Sequence, residues 1–158
     1  MAQKPPTLTD DLFVSCLYIH IDPAGRRLHL ASAGHPPPLL RSPAPTPRTV
    51  ALTVEPGPLL GIGMGMGMGM GMGMGMGIEA DYPVTTTPLP AGSLLALYTD
   101  GLVETPDTGI TDSVTALTHH LTGNGDRPLD DLADSLLHHT GPHHIRTDDI
   151  ALLLLRSR

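Results

Sequence analysis

The pattern of hydrophobic and polar positions in the first third of the chain predicts β-strands. Residues 13–21 (FVSCLYIHI) are rich in β-forming side chains, and residues 27–33 (RLHLASA) alternate between apolar and polar types. Residues 22–25 (DPAG) have the composition of a tight turn, because proline fixes φ and glycine tolerates positive φ. The two segments are therefore predicted to form a hairpin. Short strands are predicted at 39–41 and 49–52, on either side of a proline-rich tip.

Three further apolar segments predict strands in the rest of the chain. Residues 78–87 have strand composition and end at the turn-forming sequence PLPAG. Residues 93–99 (SLLALYT) are continuously apolar, which is typical of a strand buried on both faces. Residues 150–155 (IALLLL) predict a last buried strand.

Two segments between these last strands have the period of amphipathic helices. Residues 111–121 place valine and leucine on one helical face, with Thr111 as a candidate N-cap. Residues 128–139 carry apolar side chains at i, i+3, i+4, i+7 and i+8, and Pro128 suits the first turn. Strands followed by helices and a final strand predict the α+β class, with sheets and helices packed in layers.

The segment 63–77 repeats glycine and methionine in strict alternation and contains seven of the eight methionines. Glycine at every second position makes an ordered state entropically expensive, so a mobile surface insertion is the predicted role. The alternative is a Cu(I) site, because thioether sulfur is a soft ligand. Neither cysteine nor histidine lies within the repeat, which disfavours the copper hypothesis.

Length, charge and cysteine content exclude several classes of protein. The 158 residues suffice for one domain, and the net charge of −7 with only nine lysines and arginines argues against nucleic-acid binding. No apolar run has the length of a membrane span, and the N-terminus lacks the apolar core of a signal peptide, so we expect a cytoplasmic protein. The one cysteine, Cys16, is predicted to be a buried thiol. Residues 1–11 predict a frayed start before a domain at 12–158.

Histidine is abundant, and six of the nine histidines form three adjacent pairs at 119–120, 138–139 and 143–144. Clustered histidines raise the hypothesis of a zinc site. The first two pairs, however, lie at predicted helix ends, where a histidine is favoured by the helix dipole. We therefore predict adventitious rather than dedicated metal binding at these pairs.

The strongest chemical signal comes from two acidic strings fifty residues apart. Asp100 and Gly101 follow the apolar run 93–99, while Asp148 and Asp149 precede the run 150–155. Unpaired carboxylates are costly in a core but are good ligands for hard cations. The alternatives are an ordinary strand-ending turn for the first string and a solvated element boundary for the second. Two divalent ions held by carboxylates would activate water and stabilise charge in phosphate-ester hydrolysis.

These strings carry a resemblance to a known family. LYTDGLVE at 97–104 and TDDIAL at 147–152, preceded by ASAGHPPPLL at 31–40 and by PGPLLGIG ending at Gly63, resemble the SpoIIE-type branch of the metal-dependent (PPM, type 2C-like) serine/threonine protein phosphatases. The resemblance extends over almost the whole chain. It implies a partial αββα sandwich, in which two antiparallel sheets pack together with flanking helices.

The same resemblance implies a site and a partner. Asp100 and Asp148 match metal-binding aspartates of the family, Asp149 is a neighbouring candidate, and Gly101 belongs to the family's Asp-Gly motif. The implied cofactors are two Mn²⁺ or Mg²⁺ ions in the complete domain. The implied partner is a phosphorylated regulatory protein such as an anti-sigma factor antagonist. His35, in the GHPPP string, is expected to be a turn element rather than a ligand.

One departure from the family pattern changes the functional expectation. The family's early Asp-x-x-Gly-His-Gly motif, whose aspartate bridges both metals, has no counterpart in this sequence. We therefore expect a truncated domain that lacks N-terminal strands and helices, exposes a sheet edge and an apolar face, and is inactive by itself. The alternatives are a non-catalytic binding module with the same fold and the product of a pseudogene.

Overall fold

The structure, a computed structural model, describes residues 13–43, 45–60, 81–104, 109–139 and 149–158, which form two sheets and two helices. The predicted segments at 1–11 and 63–77 and the residue Asp148 lie outside these ranges. The elements are, in chain order, β1 Cys16–Asp22, β2 Arg27–Ala33, β3 Leu39–Arg41, β4 Thr49–Ala51, β5 Pro56–Gly57, β6 Thr85–Pro88, β7 Leu94–Tyr98, a 3-10 helix Asp100–Leu102, α1 Ile110–Asn124, α2 Leu129–His139 and β8 Leu152–Arg156.

The first sheet is built on the predicted hairpin. Strands β1 and β2 pair antiparallel from Cys16↔Ala33 to Asp22↔Arg27. At the turn, Asp22 Oδ1 accepts the Gly25 N–H at 2.9 Å. Strand β2 also pairs antiparallel with β6 and, over two residues, parallel with β5. The expectation of an antiparallel sheet therefore holds except at this short parallel pair.

The second sheet has the order β4-β3-β7-β8, and all of its pairs are antiparallel. Its central strand β7 is buried along almost its whole length, as predicted from the apolar run. The edge strand β8 begins at Leu152 rather than at Ile150, and its residues are only half-buried or exposed. The prediction of a buried last strand is wrong, because among the described strands β8 pairs with β7 alone and lies at the edge of the sheet.

Two apolar clusters hold the layers together. Side chains of β2 pack between the sheets against β3 and β7, while the other face of the second sheet packs against α1 and α2. The cluster between the sheets contains Leu28, Leu30, Leu40, Leu52, Leu89 and Leu95. The cluster under the helices contains Leu39, Leu94, Ala96, Tyr98, Leu102, Val103, Leu117, Leu121, Leu132 and Leu136. The α+β class and the packing of two sheets with helices are confirmed.

The helices form where the apolar period predicted them, with one correction at an N-terminus. The N-cap of α1 is Gly109, whose carbonyl accepts the N–H groups of Asp112 and Ser113, so the assignment of Thr111 as N-cap is wrong. Thr111 lies inside the helix, and its carbonyl accepts the Thr115 hydroxyl. Pro128 directly precedes α2, and its carbonyl accepts the Leu132 N–H. Neither described helix is long and apolar enough to cross a membrane.

The outer face of the first sheet is open to solvent within the described part of the chain. Cys16 lies on this face and is exposed, which contradicts the prediction of a buried thiol. Tyr18 on the same strand face is 66% exposed. Both described helices pack on the other sheet, while Leu60 and Tyr82 line a small pocket with Cys16 and Tyr18 on this side of the hairpin. The expectation of an uncovered apolar face stays a prediction.

Candidate functional site

The ends of β7 and β8 are joined by the side chain and backbone of Thr99. The Thr99 hydroxyl donates to the carbonyl of Asp149 at 3.0 Å and accepts the N–H of Ala151 at 2.9 Å. The Thr99 N–H donates to the Ala151 carbonyl at 3.0 Å. This threonine bridge places the residue before Asp100 directly against the segment that contains Asp149. The two acidic strings, distant in sequence, therefore meet at one end of the second sheet.

Asp100 begins the 3-10 helix that follows β7. Its carboxylate Oδ1 accepts the N–H of Gly101 at 3.0 Å, and its carbonyl accepts the N–H groups of Val103 and Glu104 at 2.8 and 2.7 Å. Gly101, Leu102 and Val103 are buried, so the turn is anchored in the core beneath the helices. Asp100 itself is half-buried, which leaves part of its carboxylate accessible to a ligand.

The second acidic string is only partly described. Asp149 is exposed, and Asp148 lies outside the described residues. Among the described residues, no group of three or more histidine, cysteine or acidic side chains is placed to hold a metal ion. The assignment of Asp100, Asp148 and Asp149 as metal ligands therefore stays a prediction. What the structure adds is the adjacency of the segments that contain Asp100 and Asp149.

The donor set fits hard divalent cations in its chemistry. Carboxylates are the protein ligands that Mn²⁺ and Mg²⁺ favour, and hydrogen bonds from the Gly101 N–H and the Thr99 hydroxyl hold Asp100 and the backbone of Asp149. Two or three carboxylates alone would hold such an ion weakly, because these cations take about six oxygen ligands. A tight site would require further oxygen ligands.

Tyr98 belongs to the apolar cluster under the helices and lies next to this end of the sheet. It is the last residue of β7, and burial raises the pKa of its phenol to about 12. Within the described residues, its hydroxyl has no hydrogen-bond partner. The side chain is therefore a neutral core group at physiological pH and contributes no charge to the site.

His35 belongs to a turn, in agreement with its expected role. Its N–H donates to the Ser32 hydroxyl at 3.3 Å, and Gly34 before it has a φ of +69°. The ring Nδ1 lies 3.5 Å from the Ser15 hydroxyl. The loop borders a cleft of about 280 Å³ lined mainly by proline and other apolar side chains.

Sequence reasoning missed two features of the second sheet, one at the end that carries Asp100 and one at the opposite end. The Thr99 bridge has no signal in the sequence except its position before Asp100 in the string YTDG. The second feature is buried Arg41, which binds both carboxylate oxygens of Asp126 at 3.0 and 2.7 Å. Those two residues are 85 positions apart, and each belongs to a different element or turn, so no local pattern predicts the pair.

Comparison with known families supports the resemblance seen in the sequence. The sequence model of the Stage II sporulation protein E (SpoIIE) family matches residues 5–158. A comparison with curated proteins gave no match.

Solved structures share the fold. The structure of the RsbU and RsbW domains of Rv1364c from Mycobacterium tuberculosis is 28% identical, with a TM-score of 0.62 over 85% of this chain and 33% of that chain. The Mn-presoaked phosphatase domain of SpoIIE from Bacillus subtilis is 16% identical, with a TM-score of 0.58 over 90% of this chain and 56% of that one. The SiaA-PP2C domain of Pseudomonas aeruginosa is 19% identical, with a TM-score of 0.62 over 91% of this chain and 51% of that one. The chain therefore spans between a third and just over half of the length of these structures.

Proposed function

The chain belongs to the Stage II sporulation protein E family, and from this premise we propose that it is part of a metal-dependent serine/threonine protein phosphatase. The observation that carries the proposal is the threonine bridge, which brings the segments of Asp100 and Asp149 together at one end of the second sheet. Phosphatase domains share this fold, as the SpoIIE and SiaA structures illustrate. The reaction would be hydrolysis of phosphoserine or phosphothreonine on a regulatory protein, such as an anti-sigma factor antagonist.

Asp100, Asp148 and Asp149 are the residues that would hold Mn²⁺ or Mg²⁺. When bound, such ions lower the pKa of a water ligand and offset the charge of the phosphoryl oxygens. Gly101 is buried beside Asp100. Because glycine has no side chain, the backbone at this position could lie close to a bound ion. The Mn-presoaked SpoIIE phosphatase domain supports the choice of metal.

Catalysis would require an additional carboxylate. The Asp-x-x-Gly-His-Gly string is absent from this sequence, so we propose that the complete catalytic unit includes a segment not contained in it. The chain alone is then predicted to have no phosphatase activity above background, since it can hold at most one weakly bound ion in this site.

The experiment compares two proteins in Mn²⁺ with a phosphoserine or phosphothreonine peptide. One is the 158-residue chain. The other is the same chain preceded by the N-terminal part of the SpoIIE phosphatase domain that contains the Asp-x-x-Gly-His-Gly motif. We expect phosphate release only from the extended protein, and we expect Asp100→Asn to abolish that release. Glu104→Gln, in the same string but not proposed as a ligand, is the control. Activity that persists in Asp100→Asn would contradict the proposal.

A binding module without catalysis is the second candidate function. The absence of the first metal motif from the sequence favours it. Binding of a phosphorylated regulator by an extended protein that folds and still shows no metal-dependent turnover would support this alternative.

A further inference from the structure

Two histidines face each other on the open side of the first sheet. His20 on β1 and His29 on β2 are direct partners in the antiparallel register. Their ring centres are 5.7 Å apart, and the ring planes are inclined by 31°. This pair is not one of the three adjacent histidine pairs in the sequence, since a hairpin turn separates its two members.

The separation of the rings matches that of two imidazoles on one metal ion. A tetrahedral zinc ion binds each ring nitrogen at about 2.0–2.1 Å, which puts the two ring centres about 5 Å apart. The observed distance between the ring centres, 5.7 Å, is slightly longer than this value. A change of side-chain rotamer is large enough to close the difference. His20 is exposed and His29 half-buried, so an ion can reach the pair from solvent.

A threonine on the third strand fixes the orientation of one ring. Thr86 on β6 is the register partner of His29, and its hydroxyl oxygen lies 3.0 Å from His29 Nδ1. When that hydroxyl accepts a hydrogen bond from Nδ1–H, the lone pair on Nε2 is left for a metal ion. Histidine ligands in metal sites commonly donate their other ring N–H to such a partner. The arrangement therefore contains both a pair of ligands and a positioning group.

The immediate surroundings do not oppose a cation. Towards the turn, the next residues on the same face of the hairpin are Asp22 and Arg27. They are register partners and carry opposite charges. In the other direction the face continues with Tyr18 and Ala31. The proposed ligands are nitrogen donors, so the site would differ in metal preference from a carboxylate site for Mn²⁺ or Mg²⁺.

We propose that His20 and His29 form a surface site for one zinc ion or a similar nitrogen-binding divalent metal ion, with Thr86 as the positioning residue. Bound metal would tie β1 to β2 on the face of the sheet that points away from the helices. The remaining coordination positions would be taken by water, so we expect an affinity in the micromolar range or weaker. The proposed zinc ligands are not among the proposed phosphatase ligands Asp100, Asp148 and Asp149, and the site is proposed for the 158-residue chain alone.

A zinc titration of the whole chain, followed through the imidazole nitrogen signals of each histidine by NMR, tests the proposal. We expect the signals of His20 and His29 to shift together with one dissociation constant. In His29→Gln, the shift of His20 should be lost at the same zinc concentrations. His119→Gln, on the exposed side of α1, is the control and should leave the His20 and His29 titration unchanged.

The role of Thr86 is tested by a matched pair of variants. Thr86→Val removes the hydroxyl with little change of shape and should weaken zinc binding at His20 and His29 roughly tenfold. Thr86→Ser keeps the hydroxyl and should bind zinc like the original chain. Signals of His20 and His29 that stay unmoved, or that titrate independently of each other, would overturn the site. Equal affinities of the valine and serine variants would overturn the positioning role.

Discussion

Thr99 joins the end of β7 to the segment before β8, because both its side chain and its backbone form hydrogen bonds to that segment. Its hydroxyl makes two of the described contacts between the segment before Asp100 and the segment from Asp149 to Ala151. The geometry of the proposed metal site therefore depends on a residue that is not itself a candidate ligand.

Replacing Thr99 should test that dependence. Thr99→Val keeps the shape but removes the two hydroxyl hydrogen bonds, and we expect a loss of about 1–2 kcal/mol in unfolding free energy. The same change should weaken Mn²⁺ binding, since only the backbone hydrogen bond from residue 99 to Ala151 would then hold the two segments together beyond the strand ladder. Thr99→Ser retains the hydroxyl and is the control. Urea denaturation and a Mn²⁺ titration measure the two effects, and a valine variant indistinguishable from the serine variant would contradict this role.

Tyr98 gives a second prediction at the residue scale. Its phenol is buried without a described hydrogen-bond partner, so Tyr98→Phe should leave stability at neutral pH unchanged or raise it by up to about 1 kcal/mol. Burial raises the pKa of the folded Tyr98 from 10.0 to about 12. The unfolded chain therefore loses the phenol proton first, and the associated stability is present below pH 10 and is lost as the pH rises towards 12.

The size of that alkaline loss is at most about 3 kcal/mol, from about 1.4 kcal/mol for each pH unit of pKa difference. Denaturation at a series of pH values should show it in the original chain and not in Tyr98→Phe. Tyr18→Phe, at an exposed position, should keep the alkaline loss. A loss of equal size in both variants would show that Tyr98 is not its source.

At the scale of elements, the turn between α1 and α2 is fastened to the second sheet by two arginines. Buried Arg41 of β3 binds Asp126 and donates to the Thr122 carbonyl, while Arg156 of β8 donates to the carbonyls of Gly125 and Arg127. The Arg41 hydrogen bond holds the pKa of Asp126 below its usual range. The contribution of this pair is therefore present above the ordinary pKa of an aspartate and is lost as the pH falls through the lowered value.

Two glycines near this turn provide a matched test. A Cβ on Gly125 would lie 2.7 Å from the Leu121 carbonyl oxygen and would also collide with the Arg41 side chain, so Gly125→Ala should destabilise the protein by about 1–3 kcal/mol. A Cβ on Gly123, inside α1, would meet nothing within 4 Å, so Gly123→Ala should stabilise it by about 0.5–1 kcal/mol. Chemical denaturation gives both values, and changes of the same sign would refute the steric argument.

The elements that could be predicted from the sequence are those set by local patterns. The hairpin of β1 and β2, the buried strand β7 and the helix α2 follow from alternation, a continuous apolar run and helical spacing. The predictions were wrong where the burial of a side chain depends on distant chain segments. Cys16 sits in an apolar run and yet is exposed, because burial of an outward strand position requires a layer that the sequence pattern does not reveal.

Some residues of the candidate site could likewise be predicted from local patterns, and others could not. The two aspartate strings could be identified from their position at the ends of apolar runs, and their adjacency followed only from the resemblance to a family. Thr99 and the pair of Arg41 with Asp126 could not be predicted, since these contacts join residues about 50 and 85 positions apart. Hydrogen bonds between distant residues leave no periodic signal in one sequence.

At the scale of the whole molecule, the described sandwich is closed on one side and open on the other. Helices cover the second sheet, whereas the first sheet presents Tyr18 to solvent, and Leu153 on the edge strand β8 is 60% exposed. Edge strands with exposed apolar side chains are suited to further pairing and packing.

The central claim is that the two acidic strings contribute to one site for a hard divalent ion, and a Mn²⁺ titration by electron paramagnetic resonance tests it most directly. We expect the chain to bind one Mn²⁺ ion weakly, and we expect Asp100→Asn and Asp148→Asn each to reduce the affinity roughly tenfold or more. His20→Gln, which removes a nitrogen ligand elsewhere, should leave Mn²⁺ binding unchanged. Mn²⁺ binding that is equal in the original chain and in both aspartate variants would contradict the account.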